Sequence, residues 1–431
     1  MQFNYTSPQA AYIASLAIPL VIAGYPLVET LRTCRLQTAP TGAMRYGRAP
    51  IGCLSKSARQ WTHEDRDIVT PANDLLYFSA WVNLKERPAY MTVPAIAGRY
   101  FVVELLDAYT ENFRNLGARN VPPEGGRVCL TGPTTTATPG SGHMCVQCPT
   151  NLVWIVGRVL VSGTEDLDVA REILDGFRLE SSGTLPGAVH FWHETGDAAL
   201  DFFANLLQGL DDFPVPGESR ETMDFLLVAL GLQKMQPEGL TSMNPRAQDG
   251  LRAAFANAMA IIEAHTVSQA RKAWGYTTRL GKWNGNLLLR ATAAMKGLGA
   301  LCAEETIYAL ADFDEASEPL TGAKRYTMQF PAGALPPADA FWSVTLYGED
   351  RFLIDNPIAR YSVGDRTGGL VFDSDGSLTI PIQHAPPPTH SSNWLPAPTG
   401  AFYLILRCYH PRGELLNGRY VVPALKQVVT K

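Results

Sequence analysis

The hydrophobic period of the chain changes twice, and this double change constrains the architecture more than any single motif. From about Gly47 to Ser162 the apolar residues come in short runs, YFSAWVNL, AYMTVPAI, RYFVVELLDAY, RVCLTGP and LVWIVGRVLV, rich in Val, Tyr, Phe and Trp and separated by Pro, Gly and Asn. Runs of this kind read as strands, and their spacing suits a sandwich or barrel better than alternating strand–helix units. Between Gly163 and about Ala311 the period becomes helical. Thr164 is placed to cap a helix with Leu167, Ala170, Leu174 and Phe177 on one face, and Thr195 a second with Leu200, Phe203, Leu207 and Leu210. Further helices are expected over 218–232, 245–271 and 287–301. After Pro319 the strands return as KRYTMQF, AFWSVTLY, LTIPIQH and AFYLILRCYH. The expectation is an α+β protein with two β-sandwich-like, jelly-roll-like domains and a helical layer between them. Its divisions fall at 1–46 (N-terminal helical segment), 47–162, 163–318 and 319–431.

Composition narrows the partners. A chain of 431 residues exceeds what one core usually serves, and 46% hydrophobic residues are ample for several cores. A net charge of −5 with 18% charged residues and no long basic run argues against nucleic acid, and a small molecule is the expected partner. Self-association into a homo-oligomer is compatible with the sequence. Seven scattered cysteines form no disulfide framework and suit a reducing cytoplasm. The apolar run from Ala10 to Val28 is read as a buried helix, not a membrane span: Pro19 and Pro26 interrupt it, no Lys or Arg precedes it, and Ser7 with Pro8 forms a helix start.

AFWSVTLY, DNPIARYSVGDRT, DGSLTIPIQH and NWLPAPTGAFYLILRCYHP, in this order, resemble the domain-of-unknown-function family 1214. AGYPLVETLR, PANDLLYFSAWVNL, RYFVVELLDAYTENFRNLGAR and PTNLVWIVGRVLV are similar to its usual companion, family 1254. The resemblance implies two β-sandwich-like domains with helices and carries no settled activity. It also departs from the family pattern. Leu75 stands where the family has a threonine, Asn83 where it has an aspartate, and GNLLLRA, from Gly285, where it tends to have polar groups and a tyrosine.

Motifs for common chemistries are absent: no nucleophile elbow, no H-E-x-x-H, no phosphate or dinucleotide glycine loop. HMCVQC, from His143 to Cys148, lacks the second ligand pair a zinc site needs. His190 and His193 of HFWHE lack a third ligand and read as helix-end or surface histidines. Neither a metal nor another cofactor is therefore expected.

Polar residues embedded in aromatic strands remain. Asp107 ends a strand face otherwise built from Phe101, Val103 and Leu105, and a carboxyl so placed is either paired or raised in pKa, which suits acid–base work. A structural ion pair is the competing reading. Asp107 with Tyr109 or His384 forms the candidate catalytic set. Arg99 and Arg360 are candidates to hold polar substrate groups, and Tyr77, Trp342, Tyr347 and Trp394 to line the pocket. The expected activity is hydrolysis, elimination, isomerisation or cyclisation of a largely apolar metabolite. The alternative is a carbohydrate- or metabolite-binding protein without catalysis, whose tryptophan faces would lie open to solvent.

Overall fold

A computed structural model gives the fold and describes residues 5–39, 47–66, 69–135, 144–217, 219–266 and 274–428. The protein is a mixed α/β structure with several sheets, mostly antiparallel. The first sheet has the spatial order Ser55–Lys56, Leu75–Asn83, Leu152–Leu160, Phe101–Asp107, Asn112–Gly117, and the second Met144–Gln147, Gly126–Thr131, Ala89–Val93, Arg178–Glu180. The third runs Thr306–Ala311, Phe402–Pro411, Ala338–Gly348, Ser362–Gly364, and the fourth Leu395–Pro396, Leu378–Gln383, Tyr326–Phe330, Lys426–Gln427.

Alternation along each strand decides where the cores lie, because successive side chains leave a strand on opposite sides. Leu76, Phe78, Ala80 and Val82 of the first sheet pack with Met91, Val128 and Leu130 of the second. Trp342, Val344, Leu404 and Leu406 of the third pack with Tyr326, Met328 and Ile380 of the fourth. The other parity of the first and third sheets, including Tyr77, Trp154 and Val156 and then Phe341, Ile405 and Tyr409, joins the helices in a further core. The first and third sheets thus each turn one side to their own partner sheet and the other to a shared interior.

The N-terminal helix, Pro8–Thr38, belongs to that interior through Ala17, Leu20, Leu27 and Leu31. It starts as the sequence indicates, with the Ser7 hydroxyl accepting from the Ala10 N–H at 3.1 Å and Pro8 in the first turn. By length and composition it is apolar enough to cross a membrane; half of its most apolar stretch is buried in the protein. It lies so close to the helix Ala198–Asp212 that a Cβ on Gly24 would come within 2.6 Å of Leu206.

Three local features differ from the sequence reading. The helix Leu167–Gly176 has Asp166, not Thr164, at its N-cap, because residues 164–166 form a short 3-10 turn ahead of it, and Phe177 lies just past its end. The helix Ala198–Asp212 is capped by Asp197, whose carboxylate accepts from the N–H groups of Ala199 and Leu200 at 3.2 Å; the N–H and hydroxyl of Thr195 turn instead to Asp201. Asp caps as well as Thr, and it sits one position before the first helical residue. Thr306–Ala311, read as the end of the helical block, is a strand paired from Thr306↔Tyr409 to Ala311↔Leu404. A short alternating run beside a helix gives too few residues to separate the two periods. Helices Ser219–Ala229, Pro245–Thr266 and Leu287–Lys296 occupy the other expected stretches.

Candidate functional site

The parity that faces the shared interior brings a defined set of side chains together. From the first sheet come Tyr77, Ser79, Trp154, Val156 and Arg158; from the third come Tyr308, Leu310, Ile405, Arg407 and Tyr409. They line a cavity of about 570 Å³, closed on one side by Leu289, Thr292, Ala293 and Lys296 of the helix Leu287–Lys296. Of its lining residues His265 is exposed, whereas Trp154 and Tyr409 are 3% and 1% exposed. This size and mostly apolar lining suit a small organic ligand.

Two guanidinium groups reach the cavity, and they are balanced differently. Arg158 donates to Glu104 Oε2 at 2.7 Å and to the Gly299 carbonyl at 2.8 Å, and lies over the Tyr77 ring. Glu104 is fully buried, and burial pushes its carboxyl up to about 7 against the pull of Arg158. Its Oε1 is without a hydrogen-bond partner among the described residues. Arg407, 3% exposed, donates to the Thr70 carbonyl at 2.7 Å and to Thr345 Oγ1 at 3.3 Å, between the rings of Tyr308 and Tyr347. Among the described residues no carboxylate forms an ion pair with it; Asp74, whose field reaches Arg407, gives its carboxylate to Ser343 at 2.6 Å and Ser362 at 3.3 Å. Lys296 lies 5.6 Å from the centre of the Tyr403 ring, and burial lowers its ammonium pKa, opposed by Asp312. Burial likewise raises the Tyr308 phenol to about 12. A cationic, phenol-lined floor of this kind can bind and stabilise an oxyanion, and a partly desolvated amine can serve as a base.

Of the residues singled out in the sequence, Tyr77 lines the cavity and Tyr347 stacks behind Arg407, its hydroxyl donating to the Pro71 carbonyl at 2.6 Å. The others lie elsewhere. Asp107 shares the parity of Phe101, Val103 and Leu105, which points away from the cavity into the core shared with the second sheet. Its Oδ1 accepts from the N–H groups of Tyr109 and Glu111, both at 2.8 Å, closing the hairpin. Burial pushes this carboxyl up to about 6, with those N–H groups opposing. The Tyr109 hydroxyl donates to the Phe213 carbonyl at 2.7 Å, and His384 Nδ1 sits 3.0 Å from the Ala397 carbonyl. Arg99 pairs with Asp166 at 2.5 Å, and Arg360 donates to the carbonyls of Ser392 and Trp394. Trp342 packs against Phe330, and Trp394 Nε1 donates to the Gln383 carbonyl. His143 lies outside the described residues, while Cys145 is exposed and Cys148 buried. His193 meets Gln208, and His190 is exposed.

Asp107 therefore holds a turn. Asp107→Ala strands two buried N–H groups and is expected to lose about 1–3 kcal/mol of stability. Affinity for an apolar probe in the cavity stays unchanged; urea titration and probe fluorescence measure the two separately.

Arg158, Arg407, Glu104 and Lys296 carry no motif, so a search by motif passes over them. Their signal is a charged residue inside an apolar run: LVWIVGRVLV contains Arg158 and FYLILRCYH contains Arg407, each on the same parity as large aromatics. Such a charge is almost never fully buried unless paired or used.

Residues 52–181 match the family model described as DUF1254, and residues 305–413 the model described as "Protein of unknown function (DUF1214)". The chain is similar along 97% of its length to all of the crystal structure of the VPA0106 protein from Vibrio parahaemolyticus, at 22% identity and a TM-score of 0.72, a likeness of fold. A putative uncharacterized protein from Burkholderia cenocepacia matches at 12% identity and a TM-score of 0.48, covering 96% of both chains. No curated protein matches.

Proposed function

We propose that this chain, which carries a DUF1254 domain followed by a DUF1214 domain, is a small-molecule enzyme that takes a largely apolar metabolite into the cavity between its first and third sheets and acts on it by proton transfer. Each sheet pair is read as a jelly-roll-like β-sandwich, and the working surface is where the two sandwiches face each other. The observation that carries the reading is the enclosed floor on which two buried guanidiniums and the Tyr77, Tyr308 and Tyr409 phenols converge beneath apolar walls. In this reading Arg158 and Arg407 hold a polar group of the substrate and stabilise charge that develops on its oxygen. Lys296, its ammonium pKa lowered by burial, takes or returns the proton. Leu289, in the segment where the family resemblance leads to an expectation of polar groups, presents an apolar side chain to the cavity, which favours an apolar substrate body. Burial of Trp81, Trp154, Trp342 and Trp394 at 3–4% exposure speaks against open stacking on a sugar.

The test uses N-phenyl-1-naphthylamine as a neutral apolar probe, followed by its fluorescence. The wild type is expected to bind it, and Leu289→Trp, which fills the wall, to weaken binding about tenfold or more, a change of about 1.4 kcal/mol or more. A small-molecule extract incubated with each protein and read by mass spectrometry then looks for compounds consumed by the wild type alone. Binding without consumption would turn the reading to the non-catalytic binding protein, and equal probe affinity in both proteins would remove the cavity as the site.

A further inference from the structure

Arg158 and Arg407 differ in one respect that bears on the ligand. Arg158 has its counter-charge within the protein, Glu104 at 2.7 Å. Arg407 is buried as deeply, with no carboxylate in ion-pairing contact among the described residues, and two of its N–H groups are spent on a carbonyl and a hydroxyl. A guanidinium has five N–H donors and stays protonated. Leaving such a charge in a low-dielectric interior without an anion in contact is costly, and the more distant Asp74 and the aromatic faces of Tyr308 and Tyr347 offset only part of that. The guanidinium nevertheless borders the cavity, so a bound molecule can supply what the fold withholds.

We infer that Arg407 is the anchor for an anionic end of the ligand, and that the cavity selects an amphipathic monocarboxylate whose apolar body lies against Trp154, Val156, Leu310 and Ile405. This rests on the cavity reading above and adds to it the charge of the ligand. A carboxylate matches the planar fork of a guanidinium and accepts two parallel N–H bonds from it. A phosphate dianion would call for a second full cation beside Arg407; Arg158 is already neutralised by Glu104, and burial disfavours the charged form of Lys296, the amine that also lines the cavity.

The inference is tested with probe pairs that differ in charge alone, decanoate against 1-decanol and 2-naphthoate against 2-naphthylmethanol, titrated calorimetrically into the full chain at pH 7.5. Each carboxylate is expected to bind the wild type about tenfold or more tightly than its alcohol. In Arg407→Met the preference should fall to within about threefold, because the carboxylate weakens while the alcohol keeps its affinity. The wild-type comparison alone decides the matter if that variant does not fold. Alcohols that bind as tightly as the carboxylates overturn the anchor and leave the cavity reading standing. A preference that survives Arg407→Met and vanishes in Lys296→Met overturns the assignment to Arg407. Failure of all four probes to bind the wild type overturns the cavity reading, and the anchor with it.

Discussion

Arg158→Met is expected to lose about 3–5 kcal/mol of folding stability at pH 8, because Glu104 without its cation must either stay charged in the interior or take up a proton that the unfolded chain does not hold at that pH. The loss should shrink as the pH is lowered. Glu104 is already raised to about 7 with Arg158 beside it, and removing the cation takes away a term that holds the carboxyl down. A carboxyl whose folded pKa exceeds its unfolded one binds more protons when folded. Its contribution is therefore fully present below the unfolded value and is lost as the pH rises through the folded one. In the wild type that window runs from about 4.5 to about 7 for Glu104; in the variant it extends further upward. Urea titrations at pH 5 and pH 8 measure the difference, and the double variant Glu104→Leu with Arg158→Met should recover most of the pH 8 loss. A variant equally unstable at both pH values would mean that the cost is packing, not charge.

Gly157→Ala is expected to cost about 3 kcal/mol, at the upper end for overpacking a core. Gly157 faces Phe78 across the strand pair, and a Cβ there would lie 2.0 Å from the Phe78 ring. The ring cannot retreat freely, because it packs against Phe177 at a centroid distance of 4.5 Å. Adding Phe78→Leu should restore about half of the loss or more, since the smaller side chain vacates the space the methyl needs. Thermal or urea unfolding of the single and double variants gives the coupling, and an additive result would locate the strain elsewhere.

These two sites show what the sequence makes legible. The alternation of AFWSVTLY places Phe341, Ser343, Thr345 and Tyr347 on one side and Trp342, Val344 and Leu346 on the other, which is the division the structure displays. The order of strands and helices, the start of the N-terminal helix and the family resemblance are local in sequence and are read from it directly. Which side of a strand faces a cavity is not local: both sides of Phe101–Asp107 are buried, so burial alone gives Asp107 and Glu104 equal claims. The sheet opposite decides between them, and it lies some two hundred residues further along the chain. Tryptophans suffer the same ambiguity, since Trp342 and Trp154 are equally buried on surfaces with different neighbours.

The sharing of the first and third sheets between private and common interiors separates two kinds of change. Substitutions at 77, 79, 154, 156 and 158, and at 308, 310, 405, 407 and 409, alter the shape and charge of the cavity. Their immediate neighbours in each strand hold the sheets to their own partners. Exchanging every other residue of four strands can thus reshape the cavity with the framework undisturbed. A single-residue insertion ahead of the arginine in Leu152–Leu160 or Phe402–Pro411 would invert the pattern there and turn that arginine away from the cavity.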